Sequence, residues 1–369
     1  MSGRDTSLVA IHRPQSRLAL QAMTAEMLAR EICARTDVEA TAAECRKFVG
    51  AVHRERLALP MPRVRRVVRE AALSLGEDKK LAVVAEEASA LDPFRKLLFA
   101  GHDGLRFEAV RIPLEKKGRF SVCVSSQVGC ALACAFCATG RMGLKRNLEA
   151  WEIVEQVRAV RRTLAFDEKI HGVVFQGMGE PLANLDRVLH AIEIFSDPSA
   201  QAIDSRNITV CTSGLPSGIL RLAKDAPNVR LGLSIGTALS GKRRALMPID
   251  DAHPLEEVMA AAAEHARITT LSPMWAVTLL RDVNDSPEDG RALAFLAKKF
   301  RESSGHSPRI SVIPYNAIDE AASDPFTRTT PDRENAFREA MRNEGVFSHK
   351  RYSGGGDVSA ACGQLAARS

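Results

Sequence analysis

Apolar residues recur at three- and four-residue intervals early in the chain, in TAEMLAREICA, in TAAECRKFVGAVHRERL and in PRVRRVVREAALSL, which stops near Gly76. That period predicts three amphipathic helices, the last started by a proline. Cys33 and Cys45 fall within them and read as buried packing residues, because a free thiol behaves as a small hydrophobe. Between about 94 and 124 the period shortens. FRKLLFAG, LRFEAVRIP and RFSVCVS are alternating or β-branched with glycines between them, which predicts a short antiparallel set of strands.

Further along, amphipathic helices and short apolar strands alternate. EAWEIVEQVRAVRR puts Ile153, Val154, Val157 and Val160 on one helix face, and the run IHGVVFQ follows it. LDRVLHAIEIF is the next helix, with Asn184 as its candidate N-cap. RNITVCT, VRLGLSI, MWAVTLL, RISVIPY and VFSHKRY continue the series, making about six β/α units. Such alternation implies a parallel sheet covered by helices, either an open barrel or a doubly wound sheet, with ligands at the C-terminal strand ends. The chain accordingly divides into a helical, basic domain over 1–93, a β extension over 94–124, a β/α core over 125–353 and a C-terminal loop over 354–369.

Composition narrows the class. With 369 residues, 45% apolar and 26% charged, the chain can bury a full core and does not resemble a disordered one. The start, MSGRDTSLVAIHRPQSRL, has no apolar leader core, and no later run approaches the roughly 18 apolar residues that cross a bilayer. A cytoplasmic protein without membrane contact is expected. Eight cysteines, three of them clustered, suit thiolate chemistry in a reducing compartment rather than a disulfide framework. The net charge of +6 is largely N-terminal: residues 1–75 carry 13 Lys/Arg against 8 Asp/Glu, the remainder 38 against 37. Arg54, Arg56, Arg63, Arg65, Arg66 and Arg69 could neutralise nucleic-acid phosphates, or could form a solvated helix face.

The clustered thiols, Cys130, Cys134 and Cys137, have the spacing C-x3-C-x2-C. Three thiolates suit an iron-sulfur cubane that keeps one iron free for another ligand. The alternative is a Cys3His zinc site completed by His102 or His171, since structural zinc takes four ligands. Downstream, GMGEP (Gly177 to Pro181) lies between a buried strand and a helix. Its glycines let backbone approach a ligand closely, and Glu180 can accept hydrogen bonds from an amino group.

The two motifs together resemble the radical S-adenosylmethionine (SAM) superfamily. CVSSQVGCALACAFCATG, RNL, GMGEPLANLD, TSG, VND, IPYN and AACGQLA, in that order, sharpen the resemblance to the RlmN/Cfr family of 23S rRNA adenine methyltransferases. It implies a partial (β/α)6 barrel and a 4Fe-4S cluster held by Cys130, Cys134 and Cys137, with SAM on the free iron and Phe136 shielding the cluster. It also implies consumption of two SAM per turnover. One SAM methylates Cys362; the 5′-deoxyadenosyl radical from the second takes hydrogen from that methyl group, and the carbon adds to C2 or C8 of adenine. Cys123 then attacks Cys362, releasing product with a transient disulfide, while Glu108 accepts the base proton. Gly179, Glu180, Cys211, Ser234, Ile235, Gly236 and Asn316 match positions of the family's SAM site. The implied partners are RNA, either 23S rRNA or tRNA, and a reductant such as flavodoxin or ferredoxin, with a monomer expected.

Several positions depart from the family pattern. Ser234-Ile235-Gly236-Thr237 replaces Ser-Leu-His-Ala, Cys211 replaces a serine, and Arg141 stands where glutamine is common. Gly354-Gly355-Gly356-Asp357-Val358 replaces Arg-Gly-x-Asp-Ile, and the glycine run predicts a mobile Cys362 segment. The N-terminal helices lack the family's tryptophan-bearing helix. A non-RNA substrate and a non-catalytic cluster or RNA-binding protein are the rival expectations.

Overall fold

The computed structural model describes residues 17–318 and 324–367, so most of the leader expectation, which concerns the first 18 positions, lies outside the described residues. The chain divides after Lys79 into two compact units. The first holds β1 (Leu18–Ala19), α1 (Ala25–Arg35), α2 (Ala42–His53), α3 (Arg66–Leu75) and β2 (Gly76–Glu77), with β1 and β2 parallel. Thr24 caps α1 by accepting from the Met27 N–H, and Thr41 and Glu44 form a reciprocal capping box on α2. Leu28, Ile32, Cys45, Phe48, Val52 and Val68 form the buried face. Cys33 departs from expectation: it is exposed and hydrogen-bonds the Ala40 backbone instead of packing. Part of the basic run is engaged internally. Arg65 pairs with Glu44 and holds its carboxyl down at about 2, Arg66 pairs with Glu70, and Arg69 donates to the Leu57 carbonyl. Arg56 and Arg63 are exposed.

The second unit opens with β3 (Ala82–Ala88), β4 (Arg95–Ala100), β5 (Arg106–Pro113) and β6 (Arg119–Cys123), antiparallel in succession. β7 (Gln127–Val128), α4 (Ala138–Arg141) and β8 (Arg146–Asn147) belong to the cysteine loop. Then come α5 (Ala150–Arg162), β9 (Lys169–Phe175), α6 (Leu185–Ser196), β10 (Ile208–Thr212), α7 (Pro216–Asp225), β11 (Arg230–Ser234), α8 (Ser240–Leu246) and α9 (Leu255–Thr269). β12 (Met274–Leu279), α10 (Pro287–Ser304), β13 (Arg309–Pro314), α11 (Pro331–Asn343) and β14 (Ser348–Lys350) complete it.

β6, β9, β10, β11, β12, β13 and β14 are parallel neighbours in chain order. Crossovers of this kind are right-handed, so an order that always advances the same way lays every helix on one face. The result is an open barrel, whereas a doubly wound sheet reverses direction at a switch point. Sheet and helices meet through large side chains: Trp275 packs edge-on against Phe300 at 5.2 Å, and Phe175 meets Phe195 at 6.2 Å. Full burial of one such side chain contributes about 1.5–3 kcal/mol.

Two further expectations change. β3 is a strand that the pattern did not announce, because AVVAEEA is largely exposed on both faces and shows no apolar alternation. Its pairing with β4 draws residues 82–93 out of the helical unit. Asn184 precedes α6 but makes no capping bond. Its amide donates instead to the Ser126 and Leu148 carbonyls, tying the cysteine loop to the barrel.

Candidate active site

The C-terminal strand ends surround a cavity of about 1390 Å³, its open mouth included. Cys134, Cys137 and Phe136 line one side of it, and Gly179, Glu180 and Cys211 another. Cys123, Ser234, Gly236 and Cys362 also face it. Cys130, Ile235, Asn316 and Glu108 are not among the residues that line it.

The cysteine loop is held by its backbone. Ala135 N–H donates to the Leu246 carbonyl at 2.9 Å, and Cys134 packs with Leu246, Met247, Leu280 and Tyr315. Burial, with charge on neighbouring cysteines adding to it, pushes the Cys130 thiol up to about 11 and that of Cys134 to about 12. Crowded thiols of this kind become stable thiolates when a metal centre supplies the positive charge. The donor set therefore fits an iron-sulfur cluster beside the cavity. A zinc site completed by histidine fits poorly. His102 is exposed on the β4–β5 turn, and His171 lies five residues before Gln176, roughly 16 Å down an extended strand at about 3.3 Å per residue.

Glu180 is prepared for a cationic or amino partner. Its carboxylate accepts from the Leu182 and Ser213 N–H groups, each at 3.0 Å, and its own N–H donates to Gln127. Burial nevertheless pushes its pKa up to about 7. Gly179 is required here: its φ is +101°, and a Cβ would lie 2.5 Å from the Gln127 Cβ. Arg243, wholly buried, donates to the Ile235 and Ser213 carbonyls and pairs with Asp250, bracing two strand ends. Nothing in its setting, GKRRALMP, marked it beforehand. At Gly236, φ is +69°, a backbone conformation that strains any other residue, and a Cβ would crowd the Met247 sulfur at 2.6 Å unless that side chain shifted. Cys211 sits close over Gly232, where a Cβ would meet its sulfur at 2.6 Å, and burial raises its thiol to about 12.

The C-terminal segment is hydrogen-bonded to the loop between β3 and β4. Asp92 accepts from the Tyr352 hydroxyl and the Gly355 N–H, both at 2.9 Å, and Asp357 accepts from the Ala90 N–H. A Cβ on Gly354 would lie 2.4 Å from the Phe94 ring. The glycine run thus permits close packing of the backbone against Phe94 and Asp92, contacts that the run of glycines by itself did not suggest. Beyond Cys362, the Gly363 carbonyl accepts from Ala138 N–H and the Leu365 carbonyl from the Thr139 hydroxyl, joining this segment to the cysteine loop. Asn316 donates to Ser353 and to the Cys362 carbonyl. Glu108 is buried, paired with Lys96 at 3.2 Å, and accepts from the Ala366 and Ala367 N–H groups.

Two residues not singled out by motif complete the thiol region. Gln176, a polar residue at the end of the apolar strand β9, donates to the Cys362 sulfur at 3.6 Å and accepts from Arg351 at 3.0 Å. Burial pushes the Cys123 thiol up to about 12, Cys362 adds to the rise, and Arg351 opposes it. The available signal was a polar side chain where a buried strand meets a Gly-rich turn.

The pattern of the Radical SAM superfamily matches residues 124–278. A protein of Sorangium cellulosum described as a probable RNA methyltransferase is 58% identical over 92% of this chain and 91% of its own. The dual-specificity RNA methyltransferase RlmN of Syntrophobacter fumaroxidans is 40% identical over 77% of this chain and 80% of its own. The crystal structure of a radical SAM methyltransferase from Sphaerobacter thermophilus superposes with a TM-score of 0.84 at 33% identity, covering 95% of this chain and all of that one.

Proposed function

Because the chain belongs to the RlmN family of radical SAM methyltransferases, we propose that it transfers a methyl-derived carbon to an adenine carbon of RNA, C2 rather than C8. The observation that carries this is the meeting of Cys123 and Cys362 at one cavity that two thiols of the cysteine loop also line. Cys130, Cys134 and Cys137 would hold a 4Fe-4S cluster, with Gly179 and Glu180 receiving the amino group of SAM. Bound there, cluster and cofactor supply the methyl group and, from a second SAM, the radical that activates it.

Cys362 carries the carbon and Cys123 resolves the adduct. Glu108 is the proton acceptor; for that role the Ala366 and Ala367 N–H groups must release its carboxylate. Exposed arginines of the first unit, Arg56 and Arg63 among them, would meet RNA phosphates, and 23S rRNA is the favoured target with tRNA the other. A small reduced electron carrier, a flavodoxin or ferredoxin, would act on the monomer. No described helix is long and apolar enough to cross a membrane.

Nucleoside mass spectrometry of rRNA and tRNA from a deletion strain tests the assignment. Loss of one methyladenosine is expected, and an unchanged profile would favour a non-RNA substrate. Separately, Glu180→Gln is expected to weaken SAM binding to the anaerobic holoprotein about 10- to 100-fold, corresponding to the roughly 1.5–3 kcal/mol of a hydrogen bond to a charged group. Unchanged affinity would remove Glu180 from the cofactor site.

A further inference from the structure

The resemblance pairs Cys123 with Cys362 but names nothing that holds their sulfurs together. Gln176 adjoins both. Its backbone runs beside Cys123, with Val174 and Gly177 on either side of it hydrogen-bonded to Val124, and its side-chain Nε2 lies 3.6 Å from the Cys362 sulfur. Arg351 settles which way the amide points. A guanidinium only donates, so the Gln176 Oε1, 3.0 Å from Arg351 Nη1, must be the acceptor, which leaves Nε2 facing the sulfur. Arg351 is itself fixed, its N–H bonded to the Val312 carbonyl at the edge of β13. Gln176 is anchored on the other side, because the next residue, Gly177, donates to the Val124 carbonyl directly after Cys123.

We propose that Gln176 is the positioning residue of the two-cysteine step, holding the Cys123 and Cys362 sulfurs in register while Arg351 orients its amide. The proposal rests on the adduct-resolving reading given above. In that step the Cys123 thiolate attacks the Cys362 sulfur. The S–S bond forms as the bond from sulfur to the methylene breaks, and the electron pair passes to the methylene carbon, which takes a proton to become methyl. The two cysteines lose two electrons and the carbon gains them. Such an attack needs the incoming sulfur in line with the breaking bond, and an error of an ångström in that alignment costs about 100-fold in rate. Arg351 adds a second contribution, since its charge opposes the burial that disfavours the attacking Cys123 thiolate.

The test is a single turnover of anaerobic holoenzyme with RNA, following the covalent protein–RNA adduct on denaturing gels and by mass spectrometry. Gln176→Leu and Arg351→Gln are expected to form the adduct and release it about 10- to 100-fold more slowly than the native enzyme. Arg351→Lys, which keeps a cationic donor, should lie between them and the native protein. Native release rates in both Gln176→Leu and Arg351→Gln would overturn the proposal. So would a failure of both to form any adduct while Cys123→Ala accumulates it, because their effect would then precede resolution. If Cys123→Ala itself formed no adduct, the two-cysteine reading would fall and this proposal with it.

Discussion

Cys123→Ala accumulates a covalent protein–RNA adduct and releases at least about 10³-fold less methylated product than the native enzyme, a loss on the order of 4 kcal/mol in transition-state stabilisation. The expectation follows from placement. Cys123 ends β6 and faces the cavity next to Gln176, within electrostatic reach of Cys362. Without its sulfur the thioether has no nucleophile to open it, while steps that lead to the adduct keep their residues. A denaturing gel that separates free from RNA-bound protein reads the result. Normal product release by this variant would exclude Cys123 as the resolving thiol.

Cys362→Ala behaves differently. It is expected to cleave SAM under reducing conditions, because the cysteine loop and Glu180 are untouched, yet to form neither adduct nor methylated RNA. Product formation should fall by about 10³-fold or more. Parallel assays of 5′-deoxyadenosine and of methyladenosine separate the two activities, and methylated RNA from this variant would show that the carbon never passes through Cys362.

How much of this was legible beforehand depended on whether a feature is local in the chain. The three helices of the first unit, the antiparallel set and the β/α alternation follow from periodicity, and the strand-end position of GMGEP follows from them. The C-x3-C-x2-C loop was legible as a thiolate site from its spacing, while the motifs around it, and not the spacing, pointed to a cluster over zinc. Long-range contacts were not. Glu108 lies 258 residues from the Ala366 N–H that it accepts, and Asp92 lies 263 from that of Gly355. The glycine run at 354–356 read as freedom because its packing partner, Phe94, is remote in sequence. Arg351 and Gln176 escaped for the same reason, since neither belongs to a motif and each acquires meaning through the other. Cys33 read as core because a free thiol behaves as a small hydrophobe, but near the end of α1 its sulfur is exposed and bonds the Ala40 backbone.

The central claim is that Cys362 delivers the carbon. Its most direct test digests the adduct accumulated by Cys123→Ala after turnover with SAM labelled in the methyl group, and locates the linked residue by mass spectrometry. One labelled methylene joining Cys362 to a single adenosine is the predicted result; a linkage at any other residue, or a linkage lacking the label, would contradict the account.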